Sequence, residues 1–473
     1  MFLSNWRTAA PSARRQPSAL ARENWARRRV TPGQGLVLAA LALALAAALI
    51  LAPRTAIEAT VAALVVLSVL HTALRALAFA VGLWPHATPK PVADGDLPSY
   101  SIIVPLYGEA NMADHLIAAL QALDYPRDRL EAILAVEHDD EATQRAFAAI
   151  VLPDWMRVVV VLPGAPRTKP RACQYALAQA RGEHVVVYDA EDAPDPGQLR
   201  AAAAAFAHHG PATVCLQASL VPDNRRENWL TAMFALDYCQ WFDGMLTGFE
   251  RLGLPVPLGG SSNHFRTDAL RAAGGWDPWN VTEDADLGLR LWRLGHGVRT
   301  LASTTFEEAP LGLDAWLPQR TRWSRGYLQT FLVHARAPST LGLPGLGLAG
   351  WAFLAVFVGG SIVFSLVNPL FWALASYTLL TGSGAMEWAF GPAVAPLAWT
   401  SLVFGNALAM VLTALGPLKR GWWELSPLAL TSPVYWALVS AASYRALQVF
   451  AVQPHRWEKT AHGLARDRRG GPP

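Results

Sequence analysis

EHVVVYDAED (183–192) runs a string of β-branched residues directly into Asp189, Glu191 and Asp192. A short apolar run of this kind reads as a buried strand, so its carboxylates fall at the strand's carboxyl end. Four other stretches repeat the pattern: SIIVPLY (101–107), LEAILAVE (130–137), MRVVVVLP (156–163) and TVCLQASL (213–220). The segments between them, among them NMADHLIAALQAL (111–123) and RACQYALAQA (171–180), space their apolar residues helically. Alternating strands and helices predict right-handed βαβ units on a mostly parallel sheet. Ligands of such sheets bind beyond the carboxyl ends of the strands. At those ends stand Tyr107 and Glu109, then Glu137, Asp139 and Asp140, then Asp189, Glu191 and Asp192.

No Gly-x-Gly-x-x-Gly follows any of these strands, which argues against a dinucleotide cradle. Like charges gathered at one edge need a cation or hydrogen-bond donors to offset them. Hard divalent ions take carboxylate oxygens and share them with phosphates. Asp189-x-Glu191 is therefore a candidate site for a metal-bound diphosphate, whereas Asp195, between prolines, reads as a helix cap.

Of the 473 residues, 52% are hydrophobic and only 16% charged, and the net charge of +3 gives no footprint for nucleic acid. Cys173, Cys215 and Cys239 match no metal spacing and read as reduced thiols. The apolarity is concentrated at the two ends. Residues 35–52 lack any charge and 56–84 are nearly as apolar, which predicts two membrane helices within 35–84. Residues 1–34 carry Arg7, Arg14, Arg15, Arg22, Arg27, Arg28 and Arg29 against Glu23. The positive-inside rule places this arm, as a solvated tail near membrane lipids, in the cytosol. The region 98–310 then returns to the same side, at a bacterial inner membrane. Within 346–447 about four spans are expected, with a hairpin at Asn368-Pro369 and a cytosolic tail at 448–473. Lys419 and Arg420 resist that count, because it puts their loop outside. One span plus a re-entrant piece over 348–384 is the alternative.

Further along, Gly259–Phe265 is a small polar loop, and Thr282-Glu283-Asp284 opens an amphipathic helix. Residues 311–338, with Trp316, Arg320, Trp323, Arg325 and Tyr327, suit an amphipathic helix at the membrane interface.

Taken in order, Val104-Pro105-Leu106-Tyr107-Gly108-Glu109, the acidic end of 130–137, Asp189-Ala190-Glu191-Asp192, Thr282-Glu283-Asp284 and Gln319-x-x-Arg322-Trp323 resemble the membrane-embedded family 2 glycosyltransferases. These include the cellulose, hyaluronan and poly-N-acetylglucosamine synthases. The resemblance implies an α/β GT-A domain, Rossmann-like and mostly parallel, inserted between helical transmembrane segments. It also implies a nucleotide-sugar donor and Mg²⁺ or Mn²⁺. By the same resemblance Tyr107, Glu109, Glu137 and Asp139 hold the base and ribose, Lys169 contacts the donor, and Asp189 and Glu191 hold the metal. Asp284 is then the general base with Glu283 beside it, and Gln319, Arg322 and Trp323 form the acceptor platform and pyrophosphate clamp. Asp-x-Glu in place of Asp-x-Asp is a departure, as is the lack of a glycine after Asp140.

The expected function is inverting transfer from a UDP-sugar to a growing polysaccharide at the cytosolic face, coupled to export. Export or regulatory subunits are candidate partners. The alternative is a single transfer onto a lipid or lipid-linked glycan. A catalytically silent scaffold is the non-enzyme alternative, against which Asp189, Asp284 and Trp323 speak. Ser361, Ser365, Asn368 and Asn406 could serve export, but their bland role is helix packing. The segment Pro454–Gly463 also resembles bacterial members, and no chemistry is assigned to it.

Overall fold

The computed structural model describes residues 6–8, 26–85, 88–336, 344–460 and 463. Nine strands build one sheet: β1 (Trp6–Thr8), β2 (Tyr100–Leu106), β3 (Leu130–Glu137), β4 (Met156–Val161), β5 (His184–Val187), β6 (Ala193–Pro194), β7 (Thr213–Pro222), β8 (Asn263–Arg266) and β9 (Gly297–Glu307). Their order is β1-β4-β3-β2-β5-β8-β7-β9-β6. The block β4-β3-β2-β5 is parallel, as the apolar runs require. Ile102, Ile103, Val104 and Val185–Val187 are all buried, because helices cover both faces. β8 is antiparallel to both β5 and β7, and β9 lies parallel to β7. The sequence reading held β8 to be a polar loop. Its Asn263-His264-Phe265-Arg266 has no alternation, and only the sheet on either side makes it a strand.

Helices at both ends of the chain are long and apolar enough to cross a membrane. Among the described residues there are five: Pro32–Leu51 (α1), Pro53–Gly82 (α2), Gly347–Thr381, Ala385–Arg420 and Trp423–Val452. The last three contain the regular helices Gly360–Thr381, Ala385–Leu415 and Ser432–Val452. Three helices thus stand where four spans were expected.

The difference lies at Asn368-Pro369, which sits inside Gly360–Thr381 and does not turn the chain. In an apolar medium a proline gap is tolerated where neighbouring helices satisfy the carbonyls around it. Tyr444 does so here, donating its hydroxyl to the Leu366 carbonyl. The loop holding Lys419 and Arg420 consequently falls against the sheet domain. Arg420 pairs with Asp243 at 2.5 Å and Lys419 donates to the Asp243 carbonyl at 3.0 Å.

Two other expectations shift. Leu313–His334 is a helix, but Trp316, Gln319, Arg320, Thr321 and Arg325 on it are buried between the sheet domain and Ser432–Val452. It is thus a packed internal helix. The arm also docks at its described end: the Ala26 amide donates to Asp277 at 2.6 Å, and Arg27 stacks over Trp279. The rest of the arm, apart from the strand at 6–8, lies outside the described residues, as do 461–462 and 464–473 of the tail.

α2 ties the membrane region to the sheet domain. It crosses the helix Trp229–Tyr238, which continues through a π-helical turn (Cys239–Met245) into Leu246–Arg251. At the crossing Gly82 and Gly248 face opposing backbones. A Cβ at Gly248 would come 1.8 Å from the Ala78 carbonyl oxygen, and one at Gly82 would come 1.8 Å from that of Gly244. Gly248→Val should therefore force the two helices apart and destabilise the fold by about 1–3 kcal/mol. Thermal melting of the detergent-purified protein checks this, and Gly253→Ala, which has open space but φ +66°, should cost less.

Candidate active site

The carboxyl ends of β2, β3 and β5 converge as expected, and one cavity of about 560 Å³ lies beyond them. Tyr107, Glu109, Glu137, Lys169, Asp189, Glu191, Glu283, Asp284, Gln319, Arg322 and Trp323 all line it. Of the residues to which the resemblance assigns a role, Asp139 does not; Asp140 and Asp192, also at the strand ends, are not in its lining either. Asp139 lies at the rim and pairs with Arg167, whose guanidinium stacks 4.9 Å from the Tyr107 ring.

Lys169 opens the helix Lys169–Leu177 (α3) and reaches Asp189 at 2.5 Å and the Gly260 carbonyl at 2.8 Å. A Cβ on Gly260 would lie 3.5 Å from Asp284 Oδ2 and 3.7 Å from Lys169 Nζ, so these two groups flank the same glycine. Asp284 stands in the first turn of Glu283–Arg293 (α4). That turn is bolted to Leu313–His334 (α5), on which Gln319, Arg322 and Trp323 sit. The Val281 amide donates to Gln329, Asn280 donates to Thr330, and a Cβ on Gly326 would strike Thr282. The spacing between Asp284 and the Gln-x-x-Arg-Trp face is thereby set by backbone contacts.

The electrostatics follow from burying so many acids together. Burial, then the Asp284 charge, pushes Glu283 up to about 8, and burial pushes Asp284 itself up to about 6. Glu109 and Glu137 are each raised to about 7, chiefly by burial. Burial would lower Lys169, but Asp189 and Glu283 outweigh it and hold the ammonium above its ordinary value. At neutral pH the cleft therefore keeps Asp284 ionised beside a neutral Glu283.

Asp189 and Glu191 offer only oxygens, the donor type that Mg²⁺ and Mn²⁺ prefer. Two buried carboxylate oxygens nearby, Glu109 Oε2 and Asp192 Oδ1, have no hydrogen-bond partner among the described residues. The set therefore fits a hard cation. Glu137, His138 and Asp139 also bring three ligand atoms within 4.8 Å of one another. Arg167 and Arg171 already engage that group, so its charge is offset without a metal.

Sequence reasoning missed several residues of the cleft. Glu307 ends β9, hydrogen-bonds Tyr238 and is raised by burial and Glu191 to about 8. Tyr238 stacks on Trp323, with ring centroids 6.1 Å apart, and Arg320 sits 4.3 Å from the same indole. The tail, left without a role, closes one wall: Trp457, Lys459 and Thr460 line the cavity. Arg322 donates to the Glu458 carbonyl at 2.5 Å and stacks on Trp457, and Lys459 meets Glu109 at 3.1 Å. Only the His-Arg-Trp-Glu-Lys-Thr composition could have signalled this.

Residues 184–442 match the family described as "Glycosyl transferase family group 2". The chain is 27% identical over 238 residues to a probable glycosyltransferase, YdaM, of Bacillus subtilis, covering 49% of this chain and 56% of that protein. It is 27% identical over 411 residues to the beta-monoglucosyldiacylglycerol synthase of Synechocystis sp., covering 80% of each. Against several other curated relatives the match spans only about half of their length. A solved structure titled as the mannosyltransferase PcManGT from Pyrobaculum calidifontis in complex with GDP-Man and Mn²⁺ is 20% identical, with a TM-score of 0.49 over 83% of this chain and 99% of that one.

Since a charge-assisted bond contributes about 1.5–3 kcal/mol, Lys459→Met should loosen the tail measurably. Cleavage by chymotrypsin after Trp457 is expected to speed up by about tenfold or more, as followed by mass spectrometry under native conditions.

Proposed function

The chain belongs to the group 2 glycosyltransferases, and from that membership we propose how its own residues perform the transfer. The reading is a hexosyl transfer from a nucleotide sugar to an acceptor hydroxyl with inversion. Tyr107, Glu137 and the Arg167–Asp139 pair at the rim hold the base and ribose. Lys169 neutralises Asp189 until a donor arrives and then faces its diphosphate. Asp189 and Glu191 would hold Mg²⁺ or Mn²⁺, which when bound offsets charge on the diphosphate.

The placement of Asp284 carries this reading: a half-buried carboxylate beside Lys169, in the cavity that Arg322 and Trp323 also line. The acceptor oxygen attacks the anomeric carbon from the face opposite the diphosphate, and Asp284 takes the hydroxyl proton as the new C–O bond forms. The bond from the anomeric carbon to the phosphate oxygen breaks, and the nucleoside diphosphate leaves with the electron pair. Arg322 faces the charge that builds there. Gln319, whose buried Oε1 has no hydrogen-bond partner among the described residues, would accept from a sugar or acceptor hydroxyl.

The basic arm supports a cytosolic catalytic face at a bacterial inner membrane, with UDP-sugars the first donors to test. Extension into a polysaccharide is the second reading, favoured by the Gln-x-x-Arg-Trp motif. Single transfer to a lipid is favoured by the glucolipid synthase that matches over 80% of its length.

Two outcomes are expected in nanodiscs supplied with divalent metal and a panel of nucleotide sugars. Asp284→Asn should lower kcat by about 10²–10⁴ with little change in donor KM. In the unaltered protein kcat/KM should rise with pH and level off above about 6, because only the ionised Asp284 accepts a proton. A profile flat between pH 5 and 8 would count against Asp284 as base.

A further inference from the structure

A second cavity, of about 520 Å³, opens among α2 and the three C-terminal helices. Arg75, Ser361, Ser365, Trp436 and Val439 line both it and the catalytic cleft, so the two spaces meet along a shared wall. The second cavity runs away from the cleft past Thr72, Ser68 and Val65 on α2 and past Asn368 and Ser376 on Gly360–Thr381 (α6). Its far wall, including Val65, Phe371 and Ala398, belongs to a packed cluster with Val61, Met386 and Phe390. Phe371 and Phe390 stack there with centroids 5.3 Å apart.

A void of this size is foreign to close-packed interiors, and a bilayer offers it acyl chains. Part of the polar lining is satisfied within its own helices: Ser361, Ser365 and Asn406 each donate to a carbonyl three or four residues back. At the mouth Arg75 makes one long bond, 3.4 Å, to Gln240 Oε1 and interacts with the Asp237 charge, while the buried Nε2 of Gln240 has no hydrogen-bond partner among the described residues. The guanidinium is thus a charged donor at the junction of the two cavities.

We propose that this cavity is an acceptor site for a neutral membrane lipid with a free headgroup hydroxyl, its acyl chain among α2, α6 and Ala385–Leu415 (α7) and its headgroup oxygens on Arg75. The proposal rests on Asp284 as the base of the preceding section. A base is needed for a hydroxyl acceptor, whereas a lipid phosphate is already an anion and gives no proton to take.

Full-length protein in nanodiscs would be given the best donor from the panel, with dioleoylglycerol, a polyprenyl phosphate or no added lipid. Dioleoylglycerol should yield a glycolipid at a kcat/KM at least tenfold above that for the polyprenyl phosphate. Gly405→Phe would fill the cavity, since a Cβ there has only Thr72 Oγ1 near it, at 3.8 Å. It should raise the KM for dioleoylglycerol at least tenfold while the donor KM moves less than twofold. Ser376→Phe, at the deep end, should shift preference towards diacylglycerols with shorter chains by at least threefold. A polymer made without lipid, faster transfer to the polyprenyl phosphate, or an unchanged lipid KM in both variants would each overturn the proposal. Photo-crosslinking with a diazirine-bearing diacylglycerol separates the two readings if no donor turns over. Labelled peptides from α6 or α7 would then leave the site standing while the base assignment fails, and their absence would remove the site itself.

Discussion

Crowding carboxylates into a buried cleft is the constraint on which the rest of this molecule depends. Glu109, Glu137, Asp189, Glu191, Glu283, Asp284 and Glu307 all line one cavity, and burying a lone ionised carboxylate is far too costly to persist. Two physical responses are visible. Some acids give up their charge, as Glu283 and Glu307 do at about 8. Others are matched by a cation brought from elsewhere in the chain: Lys169 from the start of α3, Arg322 from α5 and Lys459 from the tail. The fold must deliver those three cations to one place. That requirement explains why a tail segment after the last long helix turns back onto a strand end more than 340 residues earlier.

The same requirement explains the backbone contacts around the cleft. A cation positioned to within a few tenths of an ångström needs a rigid carrier. α5 is held against the 280–284 turn by side-chain hydrogen bonds of Gln329 and Thr330, and at Gly326 an added Cβ would strike the Thr282 side chain. α2 is held against Trp229–Arg251 by Gly82 and Gly248. The membrane helices are therefore part of the scaffold that sets distances inside the site. Arg420 on Asp243 fastens the loop after the fourth long helix in the same way.

Where physics acts locally, the sequence was legible. β2, β3, β4 and β5 declare themselves by unbroken β-branched runs, and the acids that follow them mark the ligand edge. The Asp284 and Gln-x-x-Arg-Trp pairing was visible as motif order, not as geometry. β8 was illegible because its four mixed residues gain a strand conformation only from neighbours on both sides. Asn368-Pro369 misled for a related reason: in water it predicts a turn, but Tyr444 repairs the helix from 75 residues away. Glu307, Tyr238 and Lys459 sit in segments with no local signature, so only tertiary structure brings them to the cleft. Asp139 was named as a single acid, and its pairing with Arg167 was not legible because the partner comes from a different segment.

The protonation pattern also bears on which acceptors the site can serve. Burial raises the proposed base Asp284 to about 6, and burial with the Asp284 charge raises Glu283 beside it to about 8. An acceptor that brings its own negative charge would meet that carboxylate directly and would gain nothing from it. A neutral hydroxyl meets an acceptor for its proton on one side and the buried Gln319 amide on the other. With Arg75 supplying a donor where the cleft meets the membrane cavity, the polarity runs in one direction. Oxygen-rich headgroups are held at the mouth, apolar chains lie behind them, and the one reactive hydroxyl is turned towards Asp284. The geometry of the helices and the chemistry of the base thus select for the same kind of molecule, and they do so through residues that share no element of the fold.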